Sequence, residues 1–539
     1  MAFAALAVGL VALAGGCARG PRYVAVDDRT VIDRTEVEYP NGLRLTPFID
    51  NLNAPVAIGF ENTDPRFKGS TVVAESGIGW LAEPRIIGFK PNGDQFPIYP
   101  RFTRIPLLDE QFRIIGPIGG MAVSNGKIYV THRDARGRGM ITRLDYDGGH
   151  ETIIADLPAQ GDYGLTDIAV DPISGRVFFG CGSATNSGVV GLDNWQVGWV
   201  DEHPLFSDKP LNDVKLNGFQ FRTKNPKGGW FGGGDDYVVT GPLQAFGALG
   251  RLRIPGSPPP SKPTGAIYSV DAGGGDLQVE AHGLRLPRGL VFNESGNLYA
   301  TNDGMELRGT RPVKNDPDAV LRIYRGGQVW YGFPDYSADM RPISDAAFQP
   351  PAEIIMPTGY PELARVIDHE SSGLAPPDPR HLLGTFAPMS GAAKMAVVPD
   401  QPNDAFKAFR GKVIVALSGD RAPFANFGKP LDGSPGYMLK LVDLDPDTKQ
   451  APTDFVANTR RLPASKIRSA DYELERPIDA KFGPDGALYI LDFGQLTVKE
   501  GQEKTKSRTG RVYRLGPPAV PTTNPAAGEK PPRGRNWQE

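Results

Sequence analysis

The sequence predicts an all-β chain folded as a six-bladed β-propeller of four-stranded blades, closed by an N-terminal strand that completes the last blade. Three observations predict it. The 539 residues include 66 glycines and 51 prolines with only 9% aromatic residues, a turn-rich composition that suits many short strands. One hairpin pattern, seen clearly in "ERPIDAKFGPDGALYILDFG" (475–494), recurs six times. The last copy lacks a fourth strand, and an unused strand stands just before the first copy.

The hairpins pair "APVAIGF" with "GSTVVAESG", "GPIGGMAVSNG" with "KIYVTHRD", and "GLTDIAVDPISG" with "RVFFGCGS". They continue as "LPRGLVFNESG" with "NLYATNDG", "AAKMAVVPD" with "GKVIVALSGD", and finally 475–494. Third strands follow as "RIIGFKPNG", "MITRLDYDG", "GAIYSVDAGG", "VLRIYRGG", "YMLKLVDLD" and "GRVYRLG". Weaker fourth strands are expected at "FPIYPRF", "ETIIADLP", "LQVEAHGL", "AEIIMP" and "TDFVANT". The missing sixth is supplied by "LRLTPFIDNL", which closes the ring and removes two exposed edges. Second strands such as "LYIL" and "VIVAL" are apolar on both faces, as sheets sandwiched between neighbours require.

The propeller is expected over 43–516, with long Gly/Pro-rich insertions at ~184–262 and ~327–390 that read as lids or specificity loops. Residues 1–16 read as a signal peptide of lipoprotein type, because "LAGGC" resembles a lipobox with Cys17 as the lipidated residue, although no Lys or Arg precedes it. A linker is expected over 17–42 and a disordered proline-rich tail over 517–539. With Cys17 lipidated, Cys181 has no partner, and no intramolecular disulfide is expected. A formal charge of −3 and a pI near 6.2 give no reason to expect nucleic acid as a partner. No CxxCH occurs, so no haem of c type is expected; NAD is not expected either, and neither a P-loop nor GxSxG occurs.

Antiparallel pairing brings the start of each first strand and the end of each second strand to one mouth of the channel. Second strands end at Glu75, His132-Arg133-Asp134, Cys181, Asn302-Asp303, Asp420-Arg421 and Asp492. First strands begin near Pro117, Thr166, Arg285, Lys394 and Arg476. Arginine and lysine there suit a multiply anionic ligand, and Asp and Asn oxygens suit Ca²⁺. His132 is the one histidine of this set and a natural general base, with Asp134 near it in sequence. Such strand-end residues also commonly tie down turns.

The segments "GLRLPRGLVFNESGNLYATNDG", "NDPDAVLRIYRGGQVWYGFPDY" and "RPIDAKFGPDGALYILDFG" resemble blades of the glucose/sorbosone dehydrogenase family, soluble quinoproteins that bind pyrroloquinoline quinone (PQQ). The resemblance covers ~45–515. It implies PQQ and Ca²⁺ as cofactors, with Arg285, Arg421 and, more loosely, Lys394 binding the quinone. The family's HxGG histidine, the proton acceptor, is replaced in Pro117-Ile118-Gly119-Gly120, whereas its assisting aspartate is matched by Asp134. His132 is the expected substitute base. Leu286 stands where the family has an asparagine, and Asp316-Pro317-Asp318 replaces its acidic segment near calcium. Asn302, Asp303, Asp316 and Asp318 are the expected metal ligands.

The expected function is an exported dehydrogenase that oxidises an aldose, a sorbosone-like sugar or a related alcohol. Electrons would pass to an external acceptor such as a separate cytochrome c, and the membrane would be met only through the lipid anchor. Two other classes stay open: a non-catalytic envelope propeller binding carbohydrate or protein, and a Ca²⁺-dependent lactonase-like hydrolase using Glu75, Asn302 and Asp303.

Overall fold

The hairpin at 475–494 closes as its residues dictate: Gly486 takes φ +68°, its N–H bonds to Gly483 O, and the Asp485 carboxylate accepts from Ala487 N–H. A computed structural model describes residues 20–517, apart from 79–81, 101–112, 229–234, 432, 434, 449 and 469–470. The expected signal peptide, Cys17 and almost all of the expected tail lie outside these residues. Among the described residues, no helix is long and apolar enough to cross a membrane.

Six sheets form the ring, and the first strands of consecutive blades pack side by side around the axis, from Pro55–Phe60 through to Pro477–Phe482 and back. In blade six, Leu488–Asp492 pairs with Gly510–Gly516, which pairs with Arg44–Leu52. The N-terminal strand therefore closes the last blade, as its sequence position predicts. Second strands Thr71–Glu75, Val177–Cys181 and Leu488–Asp492 are buried along their whole length. Neighbouring blades bury both faces, and each fully buried Val, Leu or Ile contributes about 1.5–3 kcal/mol.

Three expectations are corrected. "AEIIMP" is no strand: Ala352–Ile355 forms a helical turn, with Ile354 and Ile355 both buried side by side rather than alternating. The fourth strand of blade four is Leu382–Phe386, pairing Asp318 with Phe386, so it lies inside the expected insertion. The linker is also pinned in part, since Arg22–Tyr23 extends blade six and Val37–Glu38 extends blade five. The two insertions share a core. Val214, Leu216, Phe221 and Ile254 from one pack with Val366 and Ile367 from the other, and Leu216 bridges to Ile367. Neither half shows a core pattern alone.

Candidate functional site

First-strand starts and second-strand ends do meet at one mouth. A cavity of about 240 Å³ opens there, and its wall includes Val56, Pro117, Thr166, Lys394 and Arg476 from first strands, with Arg133, Asp303 and Arg421 from second-strand ends. Six cations (Arg133, Arg285, Arg288, Lys394, Arg421 and Arg476) face six carboxylates (Asp162, Asp303, Glu306, Asp318, Asp420 and Glu503). What matters is which of these charges already have partners.

On the blade-three and blade-four side nearly all do. The short helix Leu192–Val197 is set by the Asn194 side chain, which accepts from Gly191 N–H and donates to Asp162 at 3.0 Å. That placement brings Asp162 and Asp193 onto Arg308, which also donates to Glu306 at 2.6 Å. Arg285 donates to Asn186 Oδ1 at 2.9 Å and to the Tyr163 hydroxyl, and lies 3.2 Å from Glu306. Its guanidinium stacks on the Tyr163 ring at 4.6 Å. Burial alone would raise the Glu306 carboxyl, yet Arg285, Arg308 and Arg421 hold it down at about 2. Arg285 is thus at the mouth but already engaged through Nε and Nη2. Lys394 is engaged too: its ammonium donates to Val56 O and Gly119 O and lies 3.4 Å from Asp167.

The opposite side is different. The Arg133 guanidinium has no hydrogen-bond or ion-pair partner among the described residues, and burial pulls its pKa down. Arg421 meets Glu503 at 3.1 Å, but its Nε is buried without an acceptor. Arg476 donates to Ser418 O and Asp420 O, and its Nε is likewise unpaired. Arg288, on blade four itself, is the exception on the first side: it sits 3.5 Å from Asp303, too far for a good hydrogen bond. These part-buried cations keep spare donors, which an anion at the mouth would satisfy.

The four expected metal ligands do not form a ligand set. Asn302 Oδ1 accepts the backbone N–H groups of Arg285 and Leu286. Asp316 accepts from Met305 and Ala338, and Asp318 from Gly304, Gly391 and Ala392. These oxygens clamp turns. Only Asp303 keeps an oxygen free, its Oδ1 being buried and unpaired. Among the described residues, no group of three or more His, Cys, Asp or Glu gathers to hold a metal. These side chains do not fit Ca²⁺, and no step is routed through it.

The two expected catalytic residues lie off the cavity. His132 is buried within blade two, its Nε2 2.8 Å from the Thr142 hydroxyl and its Nδ1 3.0 Å from Arg133 O. Burial lowers its pKa to about 4. Strand alternation sends Arg133 to the mouth and His132 into the sheet. Asp134 accepts the N–H groups of Arg136 and Arg138 and pairs with the Arg138 guanidinium at 2.7 Å, which makes it a turn residue. Glu75 pairs with Arg85 inside blade one, so Glu75, Asn302 and Asp303 are not brought together as a lactonase set.

Tyr163, Glu306 and Glu503 were not read from the sequence as site residues. Tyr163 and Glu306 each lie three residues from one that was, Thr166 and Asp303, so extending the strand-end rule by one turn finds them. Glu503 comes from a hairpin, Leu496–Lys499 with Gln502–Thr505, that leaves blade six and reaches the mouth. It interrupts the blade before the third strand, where most copies run on directly, so repeat analysis passes over it.

Fold and cavity together define a six-bladed propeller whose channel mouth holds a cavity lined by balanced, only partly paired charges. No family model matches the chain, and no curated protein matches it. Solved structures do. The PQQ domain of a pyranose dehydrogenase from Coprinopsis cinerea, in its holo form, is similar over 90% of this chain and 98% of its own, at 13% identity and TM-score 0.49. The soluble aldose sugar dehydrogenase from Escherichia coli, in its apo form, is similar over 88% and 99%, at 12% identity and TM-score 0.44. A gluconolactonase from Xanthomonas campestris is similar over 93% and 95%, at 11% identity and TM-score 0.39.

Proposed function

We propose that the protein is an exported, PQQ-dependent dehydrogenase that oxidises a sugar or related alcohol at the channel mouth and passes electrons to an external acceptor such as a cytochrome c. The N-terminal lipobox-like "LAGGC" supports export and anchoring at Cys17. The observation that supports the reading is the set of part-buried arginines with donors to spare: Arg133, Arg421 and Arg476. Such donors fit a planar polycarboxylate, and PQQ is a tricarboxylic ortho-quinone.

When bound, the quinone supplies a two-electron acceptor for the hydrogen of a substrate C–H bond. The chain does the rest. Arg421 and Arg476 would hold carboxylates of the ligand on the blade-five and blade-six side, and Arg133 would hold one on the blade-two side. The saturated cluster of Arg285, Arg308 and Tyr163 forms a rigid wall, because every member is already bonded. Leu496 and Glu503 of the hairpin line one edge of the mouth.

The test is reconstitution. Apo-protein incubated with PQQ should reduce an electron-accepting dye when an aldose is added, and should do nothing without the quinone. Dye reduction that fails with every aldose and alcohol tried, in protein shown to hold PQQ, would leave a propeller that binds the ligand without turning it over.

A further inference from the structure

We infer that the hairpin Leu496–Lys499 with Gln502–Thr505 is a gate across the mouth, latched shut by Gln502 and Glu503 and opened when a carboxylate ligand takes Arg421. The identity of that ligand rests on the quinone-dependent reading of the mouth. The hairpin pairs Leu496 with Thr505 and Val498 with Glu503 and joins no other strand, so it is a two-stranded ribbon outside blade six. Such a ribbon is marginal in water by itself. Its tip is a tight turn, with φ 51° at Glu500 and φ 80° at Gly501, which suits the twist of two short strands. Alternation turns Leu496, Val498 and Glu503 inward and leaves Thr497, Lys499 and Lys504 exposed.

The tip lands far from its own blade. The Gln502 side-chain amide donates to Gln196 O at 3.2 Å and to Val197 O at 3.4 Å, at the end of the helix Leu192–Val197. Carbonyls at a helix end lack partners inside their own helix, so the amide caps them. Gly501 comes so close that a Cβ there would stand 3.0 Å from Val197 N. The helix belongs to the insertion of blade three and the hairpin to blade six. First strands pack in ring order from blade one to blade six and back, so blades three and six face each other across the axis. Contact between them bridges the mouth.

The second latch lies underneath. Leu496 and Glu503 line the mouth, and Glu503 reaches Arg421 at 3.1 Å. A ligand carboxylate on the same guanidinium would face the Glu503 carboxylate, and like charges that close repel. The closed hairpin and the seated ligand therefore compete. The ribbon has a place to turn at each end, Gly494 at φ 84° and Arg508 at φ 62°, where it leaves and rejoins blade six. Its base is closed separately, by Gln495 N–H to Thr509 Oγ1 and Lys506 N–H to Gln495 O. Opening breaks the Gln502 bonds, the Arg421 pair, the bond of the Thr505 hydroxyl to Ile78 O and the packing of Val498. A segment with so few tertiary bonds opens locally at low cost.

The experiment follows amide hydrogen exchange in the full chain, as wild type, Gln502→Ala and Glu503→Gln, with and without PQQ, beside calorimetry and stopped-flow binding of PQQ. In the apo-proteins, Gln502→Ala should speed exchange over residues 496–505 roughly twofold to tenfold, the worth of a hydrogen bond. Glu503→Gln should speed it by up to about fivefold, and neither should change Leu488–Asp492 of the blade itself. PQQ should speed exchange of the wild-type hairpin, the reverse of ordinary ligand protection, because the seated ligand holds the gate open. Gln502→Ala should also bind PQQ more tightly by the factor by which it speeds exchange, through faster association with dissociation unchanged. Unchanged hairpin exchange in Gln502→Ala, or protection of the hairpin by PQQ, overturns the gate. A wild type that binds no PQQ defeats the quinone reading, and exchange in the apo-proteins then decides the gate by itself.

Discussion

The two halves of the mouth carry the same kinds of side chain and differ in what is left over. On the blade-three and blade-four side, Arg308 alone meets Asp162, Asp193, Glu306 and the Tyr163 hydroxyl. On the other side, Arg133 has no partner among the described residues, and Arg421 and Arg476 each keep a buried Nε unbonded. A count of arginines would rank the halves alike. A count of unsatisfied donors makes one a wall and the other a seat, because a buried donor without an acceptor costs about 1–3 kcal/mol until something fills it.

The comparison breaks first at Arg308. If the saturated half is structural, Arg308→Ala leaves Asp162 and Asp193 buried without their cation and Glu306 with Arg285 alone, and should cost roughly 3–5 kcal/mol. Chemical denaturation would show it as a lower midpoint. An unchanged midpoint would mean that the cluster is not a wall at all.

A smaller effect sharpens what saturation means. Asp208, at the root of the first insertion, is bonded by Ala184 N–H and the Thr185 and Thr264 hydroxyls but has no cation. Burial pushes its carboxyl up to about 6 from 3.8, against those three hydrogen bonds. The folded state therefore binds this proton more tightly than the unfolded chain does. Its contribution is fully present below about pH 4 and is lost as pH rises through about 6, a change on the order of 3 kcal/mol. Melting curves from pH 4 to pH 8 should show that decline, and Asp208→Asn should flatten it.

The smallest effect belongs to the seat. Glu503 occupies Arg421 at 3.1 Å, with both side chains about one quarter exposed. A part-exposed pair of this kind is worth about 0.2–1 kcal/mol. Glu503→Gln should therefore tighten the binding of a carboxylate ligand by up to about fivefold, and weaker binding would show that Glu503 helps to hold the ligand instead.

The fold was legible because its signals repeat. Six hairpins, apolar second strands and a stray strand before Pro55 were enough to place the closure of Arg44–Leu52 against Gly510–Gly516. The mouth was legible only in part, since Arg285, Arg421, Lys394, Asp303 and Asp318 line it whereas His132, Asp134, Asn302 and Asp316 do not. What the sequence did not carry is valence. Nothing in "LRLPRG" says that Arg285 is spent on Tyr163 and Asn186, and nothing in "THRD" except alternation says that Arg133 rather than His132 faces the channel. The shared core of the insertions was hidden for a related reason, as Leu216 and Ile367 lie 151 residues apart and each looks like an isolated apolar residue in its own loop.

The central claim is that spare donors on the open side of the mouth, and not Arg285, hold a polycarboxylate quinone. Calorimetric titration of the apo-protein with PQQ, beside Arg421→Ala, tests it most directly. Losing one charge-assisted hydrogen-bonding partner is worth about 1.5–3 kcal/mol, so the variant should bind about tenfold to hundredfold more weakly than the wild type. Equal binding by the two proteins, or no heat from the wild type at micromolar PQQ, would contradict the account.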